Sequence, residues 1–303
     1  MIKFNAIERT DNFMAIIMDG NTLANRVREE VRAEVVKNGL DPGLAVVIVG
    51  DNQASRVYVN SKKKDCAACG IRSEEYALPA DAGEEALLQV IDTLNNRSDI
   101  NGILVQLPLP QGYSEQRVIQ AISADKDVDA FHLMNVGRIM TGNFAFLPCT
   151  PAGVMEMIDH YGIDPNGKHC VVVGRSDIVG KPQAMLMLHR HATVTICHSR
   201  TQDLGAITRQ ADILVAAVGK VGLITADMVK PGAVVIDVAM NRDTNGKLCG
   251  DVDYPAVEAV ASYITPVPGG VGPMTRAVLM RNTLTAAKMM AGLLSKAPNK
   301  GGL

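Results

Sequence analysis

The sequence predicts an α/β protein made of two units, each with a mostly parallel β-sheet. The chain has 303 residues, enough for two domains that each bury a core. Apolar runs of strand length alternate with longer stretches of helical period, which is the pattern of β-α-β units. The alternation stops near residue 146 and restarts after the segment "FLPCTPAG", which indicates two such units.

The first unit opens with a predicted amphipathic helix over 21–39, whose apolar residues recur every four positions and which ends at a glycine. A buried strand over 44–50 follows, and then a helix that carries Tyr58 and Lys62. The remaining predicted elements are a strand at "EEYAL", a helix over 83–96 and a strand over 101–110 that two prolines end.

The second unit opens with a linking helix at "PAGVMEMIDHYG". Its predicted strands are 168–174, 192–197, "DILVAAVG" and 233–239, with a helix at "VGKPQAMLMLHRH" after the first strand. A last helix over 273–294 is expected to pack back on the first unit. The predicted domains are therefore 14–149, together with this helix, and 150–272.

Composition and charge narrow the function classes. The chain has 30 basic and 32 acidic residues, so it has no excess of positive charge to attract nucleic acid or an anionic membrane. No apolar run approaches the ~20 residues of a membrane span, and the charges among the first 18 residues argue against a signal peptide. Residues 1–13 are expected to be an extension before Met14, and residues 296–303 a frayed tail.

The six cysteines do not form a recognisable metal site. Only Cys66 and Cys69 make a C-x-x-C pair, and no second pair or nearby histidine pair completes a zinc site. The alternatives for this pair are a redox dithiol and two small structural thiols on a helix. We favour structural thiols in a reduced, cytoplasmic protein without a bound metal.

Tyr58 lies four residues before Lys62, so on a helix the phenol and the ammonium group share a face. Spacing alone favours a solvated surface pair, with aliphatic stems lying along the protein and polar ends in water. The functional alternative is a phenol and an amine that face a substrate.

The turn after the strand over 168–174 has the position of a nucleotide site. Gly174 and Gly180 lie between a strand and a helix, where a dinucleotide pyrophosphate meets a helix N-terminus. Ser176 replaces the second glycine of G-x-G-x-x-G, so an ordinary strand-to-helix turn is the alternative.

The next strand supports the nucleotide site and indicates which cofactor it takes. It ends in "CHSRT", with Ser199 and Arg200 but no acid to accept hydrogen bonds from a ribose 2′-hydroxyl. Arg175 in the glycine turn adds a second guanidinium, and such groups suit a 2′-phosphate. We therefore predict a Rossmann-like, doubly wound second unit that binds NADP rather than NAD, with His198 as a structural residue at the strand end.

Seven segments, in order over residues 15–292, resemble the bifunctional methylenetetrahydrofolate dehydrogenase/methenyltetrahydrofolate cyclohydrolase (FolD) family. They are "YVNSK", "GILVQLPLP", "KDVDAFH", "PCTPAG", "VVVGRSDIVGKP", "GDVDY" and "TPVPGGVGPMT". The resemblance implies a ligand cleft between two domains and a homodimer. It also implies oxidation of 5,10-methylenetetrahydrofolate by NADP and hydrolysis of the 5,10-methenyl product to 10-formyltetrahydrofolate.

The resemblance also implies roles for individual residues. Lys62 corresponds to the central catalytic residue, Tyr58 to its aromatic neighbour on the folate, Gln106 to the side chain that holds Lys62, and Asp129 to the carboxylate that binds the pterin ring. Folate contacts where the domains meet correspond to Pro268, Gly269 and Gly270. NADP contacts correspond to Gly174, Arg175, Ser176, Ser199 and the backbone around Met240, which Arg200 joins on the charge argument above.

Three positions depart from the family pattern. Ala130 and Ala239 stand where the family has glycine, in "KDVDA" and "DVAMN", and Arg276 stands where a small or apolar residue is usual. Glycine adopts a positive φ freely and alanine does so at a cost, so the two alanines are expected to affect the backbone beside the pterin and the nicotinamide.

The implied hydrolysis needs proton transfer, which the hydride step does not. A free lysine has a pKa near 10.4, and lowering it to about 7–8 costs roughly 3–5 kcal/mol, which burial and the cationic methenyl folate would supply. We predict that Lys62 serves the hydrolytic step and that Asp129 acts in binding. Asp125 and Asp127 are predicted to be solvated loop charges.

Three other interpretations remain. Short-chain dehydrogenases also use Tyr-x-x-x-Lys, but there the glycine-rich turn precedes the pair, whereas Gly174 follows Lys62 here. A two-domain amino-acid or shikimate-type dehydrogenase has the same domain order and differs in its substrate. A non-catalytic NADP sensor or thiol-redox module would depend on Cys66 and Cys69.

Overall fold

The computed structural model describes residues 14–295 and has the predicted α/β fold class, with two units. In chain order its elements are β1 (Ile16–Ile17), α1 (Gly20–Lys37), β2 (Gly43–Val49), α2 (Gln53–Cys69), β3 (Arg72–Leu78), α3 (Glu84–Asn96), β4 (Gly102–Val105), α4 (Glu115–Ala121), α5 (Leu133–Thr141), α6 (Cys149–His160), β5 (His169–Val173), α7 (Gly180–His189), β6 (Thr193–Cys197), α8 (Leu204–Thr208), β7 (Ile213–Ala216), a 3₁₀ turn (Ala226–Met228), β8 (Val234–Asp237), β9 (Asn241–Arg242), β10 (Leu248–Cys249), α9 (Tyr254–Glu258), β11 (Tyr263–Ile264) and α10 (Val271–Met290). The expected extension 1–13 and tail 296–303 lie outside the described residues. Between residues 14 and 295, no helix is both long and apolar enough to cross a bilayer.

The first unit is built on a three-stranded parallel sheet in the order β3-β2-β4. Every residue of β2 is buried, because α1, α2 and α10 cover one face of the sheet and α3 and α4 cover the other. The four-residue recurrence predicted for α1 is the buried face of that helix, and its N-terminus is capped by Asp19, which accepts from the Asn21 N–H.

The second unit is a six-stranded, wholly parallel sheet in the order β1-β11-β8-β7-β5-β6. Helices α6 and α7 pack on one face, and α8 and α9 pack on the other. The chain runs outward from β5 first to β6 and then, on the other side, to β7. The crevice beyond the carboxyl ends of β5 and β7 is therefore the topological switch point at which doubly wound sheets bind ligands.

Strand β1 belongs to the sheet of the second unit, although the sequence pattern assigns the chain from residue 14 to the first unit. Ile16 pairs with Tyr263 and Ile17 with Ile264, in parallel. Two residues are too short to show a strand period, which explains why the sequence does not reveal this crossing. The chain then enters α1 of the first unit, and the backbone N–H of Gly20 donates to Gly269 O at 2.9 Å beside the start of α10.

Other differences concern the ends and the short elements. The strand predicted over 101–110 is only the four residues of β4, because the chain leaves the sheet at Gln106 and turns through two prolines. The last helix is α10, which starts two residues earlier than predicted and packs against α1, α2 and α6. Helices α4, α5, α8 and α9, the strand β11 and the antiparallel ribbon of β9 and β10 have no clear sequence signal.

Candidate active site

Lys62 and Gln106 meet at the carboxyl end of the first sheet. The Nζ of Lys62, on α2, donates a hydrogen bond to Gln106 Oε1 at 2.9 Å. Gln106 directly follows β4, and its amide nitrogen donates to Leu107 O at 2.7 Å. That second bond orients the amide so that its oxygen faces the lysine, as the resemblance implies.

The two side chains line a cavity of about 170 Å³ together with Asp129, Cys149 and Thr275. Burial lowers the pKa of Lys62, and the Asp129 carboxylate opposes this shift. Burial raises the pKa of Asp129, and Lys62 opposes that shift in turn. The Cys149 thiol donates to Asp129 Oδ1 at 3.4 Å, and burial raises its pKa well above the ordinary range, so it is a neutral donor. Cys149 lies in the quoted segment "PCTPAG", but a lone cysteine gave no indication of this role.

The prediction that Asp127 is a solvated loop charge is wrong. Its residue is 2% exposed, and Oδ2 accepts hydrogen bonds from the His132 N–H at 2.8 Å and from Asn135 Nδ2 at 2.9 Å. Burial raises the pKa of Asp127 to about 6. Asp127 is buried because it forms a parallel bridge with Ile103 of β4. Its hydrogen bonds to the His132 N–H and to Asn135 then hold the turn that follows Asp129. Asp125 lies 3.9 Å from Arg138.

Tyr58 lines a second cavity, of about 450 Å³, that both units enclose. Its hydroxyl donates to Met240 Sδ at 3.4 Å, and this contact joins α2 to the loop after β8. Burial raises the pKa of Tyr58, which therefore stays protonated at neutral pH. The predicted folate and cofactor contacts that line the same cavity are Met240, Pro268, Gly269 and Gly270.

The turn after β5 lies against the neighbouring strand end, as a dinucleotide cradle requires. Gly174 has φ +131°, and a Cβ there would lie 2.3 Å from Ala217 O, at the end of β7. A Cβ on Gly180 would lie 2.2 Å from Gly174 O. Only glycine fits these two positions, and they leave the backbone open at the N-terminus of α7. Ser176 Oγ accepts from the Val179 and Gly180 N–H groups, each at 3.3 Å.

Arg175, Ser199 and Arg200 are exposed at the carboxyl ends of β5 and β6, which pair side by side. Within residues 14–295, neither guanidinium group takes part in an ion pair or a side-chain hydrogen bond. The three groups can therefore surround a phosphate without first breaking another interaction. His198 Nδ1 accepts from the Arg200 N–H at 3.1 Å, which makes this histidine part of the turn.

Two buried carboxylates that sequence reasoning missed hold the loops at this edge. Asp251, in the quoted "GDVDY", is fully buried and accepts from the N–H groups of Val218, Gly219 and Lys220 and from Asn241 Nδ2. Asp237 accepts from the N–H groups of Ala239, Asp251 and Val252. Burial raises the pKa of Asp237 to about 6.

The three departures from the family pattern have different consequences. Ala130 is buried at φ +60°, so an alanine occupies a left-handed conformation next to Asp129. Ala239 does not adopt a positive φ, so the expected strain is absent there. Arg276 forms an ion pair with the buried Asp65 at 3.0 Å.

Cys66 and Cys69 are buried free thiols, and burial raises the pKa of each to about 12. Neither carries the thiolate that redox exchange requires at neutral pH. In the described part of the chain, no group of three histidine, cysteine or acidic side chains is placed to hold a metal ion.

Two family models match the chain. The catalytic domain of tetrahydrofolate dehydrogenase/cyclohydrolase matches residues 18–129, and the NAD(P)-binding domain of the same family matches residues 148–291. Among curated relatives, the bifunctional protein FolD of Acetivibrio thermocellus is 58% identical over 280 residues, which cover 91% of this chain and 98% of the relative. The bifunctional protein FolD of Geobacillus thermodenitrificans is 58% identical over 280 residues, which cover 91% of this chain and 99% of that relative.

Solved structures show the same similarity. The bifunctional enzyme FolD, a methylenetetrahydrofolate dehydrogenase/cyclohydrolase from Campylobacter jejuni, has a TM-score of 0.88 and 46% identity, covering 90% of this chain and 99% of that one. The Trypanosoma brucei methylenetetrahydrofolate dehydrogenase-cyclohydrolase, solved with NADP cofactor and an inhibitor, has a TM-score of 0.88 and 39% identity, covering 92% and 99%.

Proposed function

The chain belongs to the tetrahydrofolate dehydrogenase/cyclohydrolase family and is therefore a bifunctional one-carbon enzyme, and on that premise we propose that one cleft, centred on Lys62, carries out both reactions. The first reaction oxidises 5,10-methylenetetrahydrofolate to the 5,10-methenyl form with NADP, and the second hydrolyses that product to 10-formyltetrahydrofolate. The observation that carries this proposal is the 2.9 Å hydrogen bond between Lys62 Nζ and Gln106 Oε1 in a cavity beside Asp129.

The NADP site extends from the β5 turn to the loop after β8. Gly174, Ser176 and the N-terminus of α7 would hold the pyrophosphate, while Arg175, Ser199 and Arg200 would hold the 2′-phosphate. The loop at Met240 would lie beside the nicotinamide. When bound, NADP supplies the hydride acceptor, and the protein's task is to hold the two rings face to face.

The folate ring would occupy the cavity at Lys62. Asp129 accepts paired hydrogen bonds from the amidine edge of a pterin, and Tyr58 packs against the folate at the mouth of that cavity. Pro268, Gly269 and Gly270 line the cavity of Tyr58, so they bring the backbone of the second unit to the mouth of the folate site. This arrangement directs the one-carbon unit toward both Lys62 and the nicotinamide.

Lys62 acts in the hydrolytic step. A water molecule adds its oxygen to the methenyl carbon and must lose a proton as the new C–O bond forms. Burial lowers the pKa of the Lys62 amine and so enlarges its neutral fraction, which can accept that proton while Gln106 fixes its orientation. The bond from carbon to N5 then breaks as N5 takes up a proton, which the Lys62 ammonium group can return, and the added hydroxyl group loses its proton to solvent to form the formyl carbonyl.

The test is Lys62→Met, which removes the amine while filling a similar volume. We expect cyclohydrolase activity to fall by at least about 100-fold, within the range for loss of a general base, while the Kd for NADP stays unchanged. The decay of methenyl absorbance measures hydrolysis, and cofactor fluorescence measures binding. Full retention of hydrolysis in a folded variant would refute the role of Lys62.

Two further properties are part of the proposal. A homodimer is supported by the resemblance and by the position of β6 at an edge of the large sheet with Ile196 exposed. A reducing, cytoplasmic location is supported by six free cysteines, five of them buried. Sedimentation of the purified protein distinguishes monomer from dimer.

A further inference from the structure

The cavity at Tyr58 is lined by two cationic side chains from different parts of the molecule. Arg242 lies on β9 of the second unit, and Arg276 lies on α10, which packs with the first. The acid that lines the same cavity is Asp237, and its oxygens are already engaged by three backbone N–H groups. The wall of this cavity therefore carries positive charge available to a ligand.

The ion pair of Arg276 leaves that charge uncompensated. Arg276 Nη1 lies 3.0 Å from Asp65 Oδ2, and Arg28 Nη1 lies 3.3 Å from Asp65 Oδ1. Two guanidinium groups thus share one buried carboxylate, and one positive charge remains. Arg276 lines the cavity and Arg28 does not, so the excess charge faces the cavity. The ion pair also fixes the guanidinium in place, which reduces the entropy lost when a ligand binds.

The other large cavity differs in charge. It has a volume of about 800 Å³ and shares three lining residues, Leu107, Phe131 and Ile178, with the cavity of Lys62. Its charged lining residues are Glu115, Asp177 and Lys181, and the last two form an ion pair with each other. This cavity offers no net positive charge to an anionic group.

We infer that Arg276, together with Arg242 in the wall of the same cavity, binds a glutamyl carboxylate of the folate substrate. The inference rests on the proposed function, because the pterin end must occupy the cavity of Lys62 and Asp129. Thr275 lines that cavity and the adjacent Arg276 lines the next one, so a substrate that passes Tyr58 brings its acidic end to Arg276. Arginine suits this role because its planar group can grip a carboxylate through two parallel bonds.

The test compares Arg276→Met with the wild type on methylenetetrahydrofolate carrying one or three glutamates. We expect the KM for the triglutamate to rise about five- to tenfold, as for the loss of one partly screened charge pair, with kcat and the KM for NADP unchanged. The wild-type KM should rise with added NaCl, and that of the variant should respond less. Arg281→Met is the matched control, because Arg281 lies on the same helix and pairs with Glu156 and Glu30 away from both cavities.

An unchanged KM for folate in a catalytically active Arg276→Met variant overturns the inference and leaves the proposed function intact. A rise in the KM for NADP alone also overturns it, since the arginine would then serve the cofactor. No turnover of folate by the wild type would instead contradict the proposed function. If the single variant does not fold because Asp65 loses a partner, Arg276→Met with Asp65→Asn removes both charges, and the same rise in folate KM is expected.

Discussion

Lys62 is set between two opposing influences on its charge. Burial favours the neutral amine, whereas Asp129 favours the ammonium group. The partner that contacts it directly, Gln106, carries no charge and so holds the nitrogen without adding to either influence. An amide at this position does not stabilise the ammonium form as a carboxylate would, which suits the proposed role of Lys62 in proton transfer.

Gln106→Glu tests this balance with almost no change of shape. A carboxylate 2.9 Å from Nζ should raise the pKa of Lys62, so that less neutral amine is present at pH 7. A rise of about one unit in this pKa lowers the fraction of neutral amine about tenfold, so we expect the rate of hydrolysis at pH 7 to fall about tenfold or more. The rate should recover as the pH is raised. The measurement is kcat for methenyl hydrolysis against pH. An unchanged pH profile would show that Lys62 does not act through its neutral form.

Much of the site at this scale follows from the sequence, and the exceptions have a physical reason. Lys62, Gln106 and Asp129 are found through motifs that are specific in type and order. Asp127 is misjudged because a run of charges between helices has the composition of a solvated loop, while its burial depends on a bridge to β4 that no local pattern encodes. Cys149 is missed because burial beside Asp129 is a tertiary property.

Ala130 shows how a residue can be strained and still retained. An alanine at φ +60° costs about 1–2 kcal/mol relative to its usual conformations. Its methyl group is fully buried in the core of the first unit, which returns roughly 0.8 kcal/mol, and alanine also loses less chain entropy than glycine on folding. These terms nearly offset each other, so the departure from glycine is tolerated beside Asp129, where the pterin is proposed to bind.

At the scale of elements, three loops at the carboxyl edge of the large sheet depend on one side chain. Asp251 accepts hydrogen bonds from the loop after β7 and from Asn241 on β9, and its own N–H donates to Asp237 at the end of β8. The loops that would face NADP are thus ordered before the cofactor arrives, which reduces the entropy lost on binding.

Asp251→Asn should disrupt this arrangement. The new amide keeps one oxygen and replaces the other with an NH2 group, so charge-assisted bonds are lost and donors face donors on one side, either at the Val218 and Gly219 N–H groups or at the Lys220 N–H and Asn241 Nδ2. We expect the free energy of unfolding to fall by about 2–4 kcal/mol and the KM for NADP to rise. Urea denaturation and initial rates measure the two effects. Asp253→Asn is the control, since Asp253 is exposed and makes no side-chain cap bond. Equal stability and equal KM in the two variants would contradict this role.

The elements themselves are predictable where they are long or fully buried. Strand β2 shows a continuous apolar run because both of its faces are buried, and helix α1 shows a four-residue apolar recurrence because one of its faces is buried. Helices α8 and α9 have five residues each, and β9 and β10 have two, so each is shorter than the period that would reveal it. Their positions come from packing against the sheet and from the Asp251 network.

At the scale of the whole molecule, the chain crosses between the units more than once. It passes from β1 in the large sheet to α1 in the first unit, and from β11 to α10 along the same route. Helices α1 and α10 then pack along each other, and the cleft opens beside their N-termini. The width of the cleft therefore depends on how firmly β1 is held in the sheet.

Ile16→Pro tests this dependence. The Ile16 N–H donates to Ser262 O at 2.8 Å, and Met18 N–H donates to Ile264 O at 2.8 Å, so in a parallel ladder the N–H of Ile17 points away from β11. Proline at 16 removes one of the N–H bonds that join β1 to the chain at β11 and should lower the free energy of unfolding by about 1–3 kcal/mol. Because β1 leads directly into α1, the KM for folate and for NADP should rise together. Ile17→Pro, which removes an N–H outside the ladder, should leave both KM values near those of the wild type. If the two variants behave alike in urea denaturation and in kinetics, β1 does not control the geometry of the cleft.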